Sequence, residues 1–334
     1  MPSFLSLGRG YSGAVSTFDV IIKPFNTCHL IIGNMTMRIV TRPDFDGVVC
    51  AVVLEESLTL TEPTLWVEPN DMQQGKVEIR QGDAIANLPF DPSCSLWFDH
   101  HATNRVETPF EGAFEVVPSA AGLVWQYYRD RIGKDYSELI RQADRIDSAD
   151  LTRDEVETPE LYPYVLLSMT IFGRKWEDGP YWDRLVGLLR TQPIEGVMAD
   201  PEVKRRCEAV VAQNREYRRH LRSCTDVKEG VSITDFRGYD EAPEGNRFLV
   251  YAMYPEAVVS VKIRYVDRAK KRVVLSVGHS IFNVGCNVHA GHLLSQFNGG
   301  GHFGAAACTF DSAMADKLIP RIIGVLQENR PHEH

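Results

Sequence analysis

The chain has 334 residues, enough for two cores at ~150 residues each, and its 44% hydrophobic and 24% charged residues suit an ordinary globular protein. A net charge of −9 argues against a general grip on duplex nucleic acid, so an anionic substrate needs a local basic pocket or a metal ion. Seven scattered cysteines without a CxxC pair argue against a disulfide framework or a cysteine zinc site and fit a reducing, cytoplasmic setting, and no apolar run approaches the ~20 residues of a membrane span.

Residues 1–36 carry short apolar stretches broken by Lys23, Pro24 and Asn26, which is not the pattern of a signal peptide. They read either as sequence upstream of a true start at Met35 or Met37, or as a disordered extension. From Met37 the pattern is regular. "MRIVT" predicts a strand, "RPDFDG" a turn and "VVCAVVLEESL" a helix. "TLWVEP", "AIANLPF" and "SLWFDHH" predict three more strands. "SAAGLVWQYYRDRIG" predicts a helix capped by Ser119 and stopped by Gly133, and "YSELIRQADRIDSADL" a helix whose end is rich in aspartate. Strands alternating with helices imply a mostly parallel sheet, and such sheets gather ligands beyond the carboxyl ends of their strands. Asp44, Asp46, Asn87, Asp99, His100 and His101 all lie at such ends.

Residues 160–225 read as helical. "DPEVKRRCEAVVAQNREYRRHLRSC" predicts a long amphipathic connector, with Arg205, Arg206, Arg218, Arg219 and Arg222 expected on a solvated face. Beyond about 228, "VSITDF", "RFLVYAMY", "AVVSVKIRYV" and "RVVLSVGHS" predict strands, with "DRAKK" a hairpin turn. "AGHLLSQF" predicts a helix, and the small residues of "GAAA" after the glycine run predict another. The expected class is α/β. A mostly parallel domain spans 37–190, a helical connector 191–227 and a smaller α/β domain 228–328, after the 1–36 extension.

Four groups of residues carry chemistry. Asp44 and Asp46, one residue apart with Gly47 following, can face one divalent cation or two, and hard oxygen ligands suit Mg²⁺ or Mn²⁺; the bland alternative is a solvated loop at a helix start. Asp99-His100-His101 offers a metal-binding imidazole, an acid or phosphate-binding partner, and a carboxylate to orient a ring. Asp144, Asp147 and Asp150 fall broadly on one helix face, and any of the three can add a ligand. Asn298–Ala307, "NGGGHFGAAA", exposes backbone N–H groups fit to hold a phosphate, with His302 to add a charge-assisted bond.

Taken together, Asp44-Phe45-Asp46-Gly47, Asp99-His100-His101, the Asp147 region and Gly299-Gly300-Gly301-His302 resemble the DHH phosphoesterase superfamily, which joins a DHH domain to a C-terminal DHH-associated domain. The wording of the motifs is similar to the exopolyphosphatase-like branch. The resemblance implies a hydrolase of phosphodiester or phosphoanhydride bonds using one or two Mn²⁺ or Mg²⁺ ions. It implies metal ligands at Asp44, Asp46, His100 and Asp147, with Asn87 where the family has a bridging aspartate. It implies catalytic roles for Asp99 and His101, and a substrate grip from Gly299, Gly300, Gly301, His302 and Ser280. The substrate class it implies is a small phosphorylated or single-stranded nucleotide, or polyphosphate, with no duplex DNA, no membrane and room for a homodimer.

Two departures stand out. No histidine precedes Asp44, where Arg42 offers a fixed charge or a phosphate grip, and Asn87 is neutral. A phosphate-binding regulatory module on the same fold is the alternative reading.

Overall fold

The computed structural model describes residues 37–171 and 178–331; the 1–36 extension lies outside the described residues. The first half alternates strands and helices: β1 (Arg38–Thr41), α1 (Phe45–Ser57), β2 (Leu65–Trp66), α2 (Pro69–Gln73), β3 (Asp83–Ala86), β4 (Leu96–Asp99), β5 (Gly112–Phe114), α3 (Ala120–Tyr128) and α4 (Ser137–Asp147). Helices follow: α5 (Arg153–Glu157), α6 (Pro163–Ser168), α7 (Gly179–Thr191), α8 (Ile194–Ala199) and α9 (Pro201–Cys224). The remainder runs β6 (Thr225–Lys228), β7 (Val231–Asp235), α10 (Leu249–Met253), β8 (Val259–Tyr265), β9 (Arg272–His279), α11 (Ala290–Ser295), β10 (Gly300–Gly301), β11 (Ala305–Asp311) and α12 (Ala315–Glu328).

The first sheet is parallel throughout, in the order β2-β1-β3-β4-β5. Its strands are apolar on both faces. Ile39, Ala84, Ala86 and Phe98 enter the main core with α1 and α3, while their neighbours Val40, Ile85 and Trp97 fill a second core on the opposite face. That period of two buried on both sides is why the strands read as continuous apolar runs. From β1 the chain steps to β2 on one side and returns as β3 on the other. Such a switch point opens a crevice at the carboxyl ends, and the loops after β1 and β3 border it.

The second sheet has the order β10-β11-β9-β8-β7-β6 and is antiparallel except where β7 meets β8. Val259, Val261 and Ile263 of β8 and Val273, Leu275 and Val277 of β9 face a core shared with Leu293 and Leu294 of α11 and Ile319 and Ile322 of α12. Between the sheets runs α9, 24 residues and about 36 Å long. It buries Val203, Cys207 and Val210 in the main core, and Tyr217 and Leu221 in a cluster with Phe236, Leu249 and Tyr251.

The α/β class and the mostly parallel first sheet agree with the sequence reading. Two elements differ. "RFLVYAMY" forms the short helix α10, because Leu249, Val250 and Tyr251 pack against α9 and α5 instead of entering a sheet. "GAAA" begins strand β11, not a helix: seven residues pair with β9, and that ladder overrides the helix preference of alanine. On α9, Arg205 pairs with Glu202 and Arg219 with Glu216, as on a solvated face, while Arg206 reaches both Glu202 and Asp178. No helix among the described residues is long and apolar enough to cross a membrane.

Candidate functional site

The turn after β1 is fixed by close packing. Asp44 caps α1, its Oδ1 accepting the Gly47 N–H at 2.9 Å. A Cβ on residue 47 would lie 1.9 Å from the Arg42 carbonyl oxygen, so only glycine fits there. Asp46 follows on the first turn of α1 and is buried. Its two oxygens accept the N–H groups of Ala120, at 3.0 Å, and Ala121, at 2.8 Å. These are the first donors of α3, and a helix N-terminus favours an anion. Burial, with Asp147 and Asp44 nearby, nevertheless pushes the Asp46 carboxyl well above the ordinary carboxylate range, against those two backbone bonds. Burial and the two neighbouring carboxylates thus disfavour a charge on Asp46 in the metal-free fold.

His100 follows β4. Its Nδ1 lies 2.9 Å from the Val117 carbonyl oxygen. A carbonyl only accepts, so Nδ1 carries a proton, and whenever the ring is neutral its lone pair is at Nε2. That Nε2 lies 3.4 Å from Asp147 Oδ2 and 3.7 Å from Asp46 Oδ2, buried and without a hydrogen-bond partner. One ligand atom from each of Asp46, His100 and Asp147 falls within 4.8 Å of the others. A lone pair facing two carboxylates is repulsive unless a proton or a metal cation lies between them. Imidazole nitrogen with carboxylate oxygen suits Mn²⁺ and, less well, Mg²⁺, so this donor set fits the ion that the motif resemblance implies. Burial and Asp44 also raise the Asp147 carboxyl, while His100, His101 and Arg42 oppose the rise.

The other residues singled out from the sequence surround this trio or lie on the second sheet. Asp99 is fully buried, its Oδ1 accepting from His101 Nδ1 at 2.8 Å and its Oδ2 from Asn104 Nδ2 at 2.7 Å. The bond to Asp99 raises the His101 pKa against the effect of burial. Asp44 Oδ1 also accepts from Asn87 Nδ2 at 2.9 Å, and its Oδ2 lies 3.1 Å from Arg42 Nε. Asn87 is buried, at φ +57°, and its Oδ1 has no hydrogen-bond partner. At the end of α4 the three aspartates divide. Asp147 faces His100, Asp144 accepts from Ser119 Oγ at 2.6 Å and so props the cap of α3, and Asp150 is outside the trio.

Gly299, Gly300, Gly301 and His302 belong to the second sheet, in the hairpin of β10 and β11 packed on α11; the Gly291 N–H donates to the His302 carbonyl at 3.0 Å. A Cβ at residue 299 would lie 2.4 Å from the Ala307 carbonyl oxygen, and one at 301 would lie 2.4 Å from that of Ala305. Packing therefore accounts for these two glycines. Gly300 is exposed with open space around it, and His302 is exposed beside it. Ser280 is buried, and its Oγ accepts from Phe282 N and Asn283 N within its own turn. Sequence reasoning did not identify Val117, Asn104 or the Ala120 and Ala121 N–H groups. The only available signal was Ser119, which marks where α3 begins.

No protein-family model matches the chain, and no curated protein matches it. Solved structures do. The pGpG-specific phosphodiesterase PggH of Vibrio cholerae is similar at 30% identity over 88% of this chain and 100% of that one, with a TM-score of 0.77. RecJ from Thermus thermophilus, in complex with Mn²⁺, is similar at 13% identity over 89% of this chain and 52% of that one, with a TM-score of 0.55. An exonuclease RecJ bound to manganese is similar at 14% identity over 89% of this chain and 91% of that one, with a TM-score of 0.53. The RecJ likeness is one of fold, whereas the likeness to PggH extends over the whole of that protein at 30% identity. The chain belongs to the DHH phosphoesterase superfamily, a family of hydrolases.

Proposed function

We propose that the protein is a metal-dependent phosphodiesterase of a small nucleotide, with a linear dinucleotide as its substrate class. The observation that carries this reading is the buried, unpartnered His100 Nε2 facing Asp46 and Asp147, in a chain 30% identical to a pGpG-specific phosphodiesterase. Asp46, His100 and Asp147 would hold Mn²⁺ or Mg²⁺, with Asp44 and Asn87 beside them. When bound, the ion supplies an activated water and a polarised phosphoryl oxygen.

The chain's own groups do the rest. The Ala120 and Ala121 N–H groups fix the Asp46 carboxylate, and the Val117 carbonyl fixes the His100 ring. Asp99 holds the His101 ring and favours its charged form, which leaves His101 Nε2–H to donate to a phosphate oxygen. Arg42, partly exposed, has further N–H groups for the same phosphate. Gly300 and His302 would receive a second phosphate or the far nucleotide. With this function goes the division into 37–190, 191–227 and 228–328, a reducing cytoplasmic setting in which the six described cysteines stay free, and a substrate other than duplex DNA.

The test is incubation of the purified protein with Mn²⁺ and, separately, pGpG, a cyclic dinucleotide, a short single-stranded oligonucleotide and polyphosphate. Release of mononucleotide from pGpG faster than from the others is expected. The neutral Asn87 and the guanidinium of Arg42 favour one second reading, a nucleotide-binding module without turnover. That reading predicts a thermal shift with pGpG and no product.

A further inference from the structure

Asp44 is already engaged. Its Oδ1 accepts two N–H donors, from Gly47 and Asn87, and its Oδ2 faces the Arg42 guanidinium at 3.1 Å. Asn87 Nδ2 has to face Asp44, because its carbonyl oxygen would repel the carboxylate. The remaining Asn87 Oδ1 is neutral, so it suits a hydrogen bond from water better than it suits holding a dication unaided. One ligand atom from each of Asp46, His100 and Asp147 lies within 4.8 Å of the others, a spacing that suits one ion; Asp99, His100 and His101 are equally close, but His101 Nδ1 and Asp99 Oδ1 already bond each other at 2.8 Å. The buried, unpartnered His100 Nε2 marks this trio as a ligand site independently of its carboxylates.

We infer that the site holds one divalent cation and that Arg42 is a fixed positive charge occupying the Asp44 side, where a two-metal clamp would place a second ion. The inference rests on the metal-site reading above and deepens it. Arg42 stays charged at every accessible pH, so Asp44 is compensated whether or not metal is bound. The Arg42 side chain meets Asp44 through Nε, which leaves its two Nη groups to meet the phosphoryl oxygen that a second metal otherwise polarises. Arg42 is thus a catalytic residue by contact with substrate, and it also excludes a second ion by repulsion.

The experiment is equilibrium dialysis of the intact chain against Mn²⁺ with atomic absorption, together with electron paramagnetic resonance of the bound ion. One Mn²⁺ per chain with an uncoupled six-line spectrum is expected. Two ions per chain, or an exchange-coupled spectrum, would overturn the inference even if pGpG is hydrolysed. Conversely, one bound ion without turnover would defeat the phosphodiesterase reading and leave this one standing. The Arg42→Gln chain, its fold checked by circular dichroism, gives a second arm. It should admit a second Mn²⁺ or hold the first tighter by on the order of tenfold, since a nearby cation has been removed. Unchanged or weaker binding of a single ion by this variant would overturn the role given to Arg42.

Discussion

The His100 ring donates its Nδ1 proton to the Val117 carbonyl at 2.9 Å, and this bond orients the other nitrogen. A ring so held points Nε2 away from the backbone and can offer a lone pair only at that atom. Asp46 and Asp147 are the neighbours of that atom, an arrangement that suits a divalent cation between them. The orientation of this ring is thus set by a backbone carbonyl 17 residues away in the sequence.

The first prediction concerns metal and pH together. Asp46 and Asp147 are raised in the metal-free fold, so between the ordinary carboxylate range and their raised values the folded chain binds more protons than the unfolded one. The stability of the metal-free protein should therefore fall as pH rises through that window. Mn²⁺ competes with those protons, so its stabilisation should grow over the same window and reach about 2.7 kcal/mol at a free concentration a hundred times its Kd. Thermal melts with Mn²⁺ and with EDTA across pH 4 to 8 check this.

Replacing Asp99 by Asn removes the acceptor that holds the His101 ring. We expect a 10- to 100-fold loss of kcat, the usual effect of losing a residue that orients a site group, with Mn²⁺ still bound by the trio. His101 is raised by Asp99, so its charged form now persists to higher pH than in the unfolded chain. The stability it adds is full below its unfolded pKa and is lost as pH rises through the folded one. In the variant the His101 titration should move to lower pH, as read by NMR of the ring protons.

Gly47→Ala places a Cβ 1.9 Å from the Arg42 carbonyl oxygen, which is backbone and cannot rotate away. A loss of about 3 kcal/mol is expected, or roughly 5 to 10 °C in Tm. A melt within 1 °C or so of the wild type would show that the turn rearranges freely.

Glu155 tests the electrostatics away from the site. It is buried, accepts from Arg145 Nη2 at 2.9 and 2.8 Å, and completes a capping box with Thr152. Burial acts against its charge, but the Arg145 and Thr152 bonds prevail and hold its pKa below the ordinary value. Its contribution is present above the unfolded pKa and is lost as pH falls through the folded one. Glu155→Gln should cost about 2 kcal/mol at pH 7, and the gap should close at acid pH in denaturant titrations.

Much of this was legible in the sequence. The apolar runs of β1, β3 and β4 are buried on both faces, so each strand and the polar residue ending it stand out. Ser119 was readable as a cap because Ser before an apolar helix has a local meaning. Local pattern failed where distant contacts decide. The alanines of β11 are strand only because β9 pairs with them, and α10 is helix because its apolar residues have α9 and α5 to pack against. The link from Ala120 and Ala121 back to Asp46 spans 74 and 75 residues, and no spacing rule foretells it. Aspartates 144, 147 and 150 were indistinguishable as a helical triplet. The geometry separates them because Ser119 reaches one and His100 another.

The most direct measurement is hydrolysis of pGpG by the wild-type and His100→Ala chains, each stripped with EDTA and then supplied with Mn²⁺, alongside the bound Mn²⁺ of each. The account predicts turnover in the wild type that vanishes with EDTA and returns with Mn²⁺, and in the variant a loss of bound Mn²⁺ with at least a roughly hundredfold fall in rate. A His100→Ala chain that hydrolyses pGpG at the wild-type rate, or a wild-type chain with the same rate in EDTA as in Mn²⁺, would contradict it.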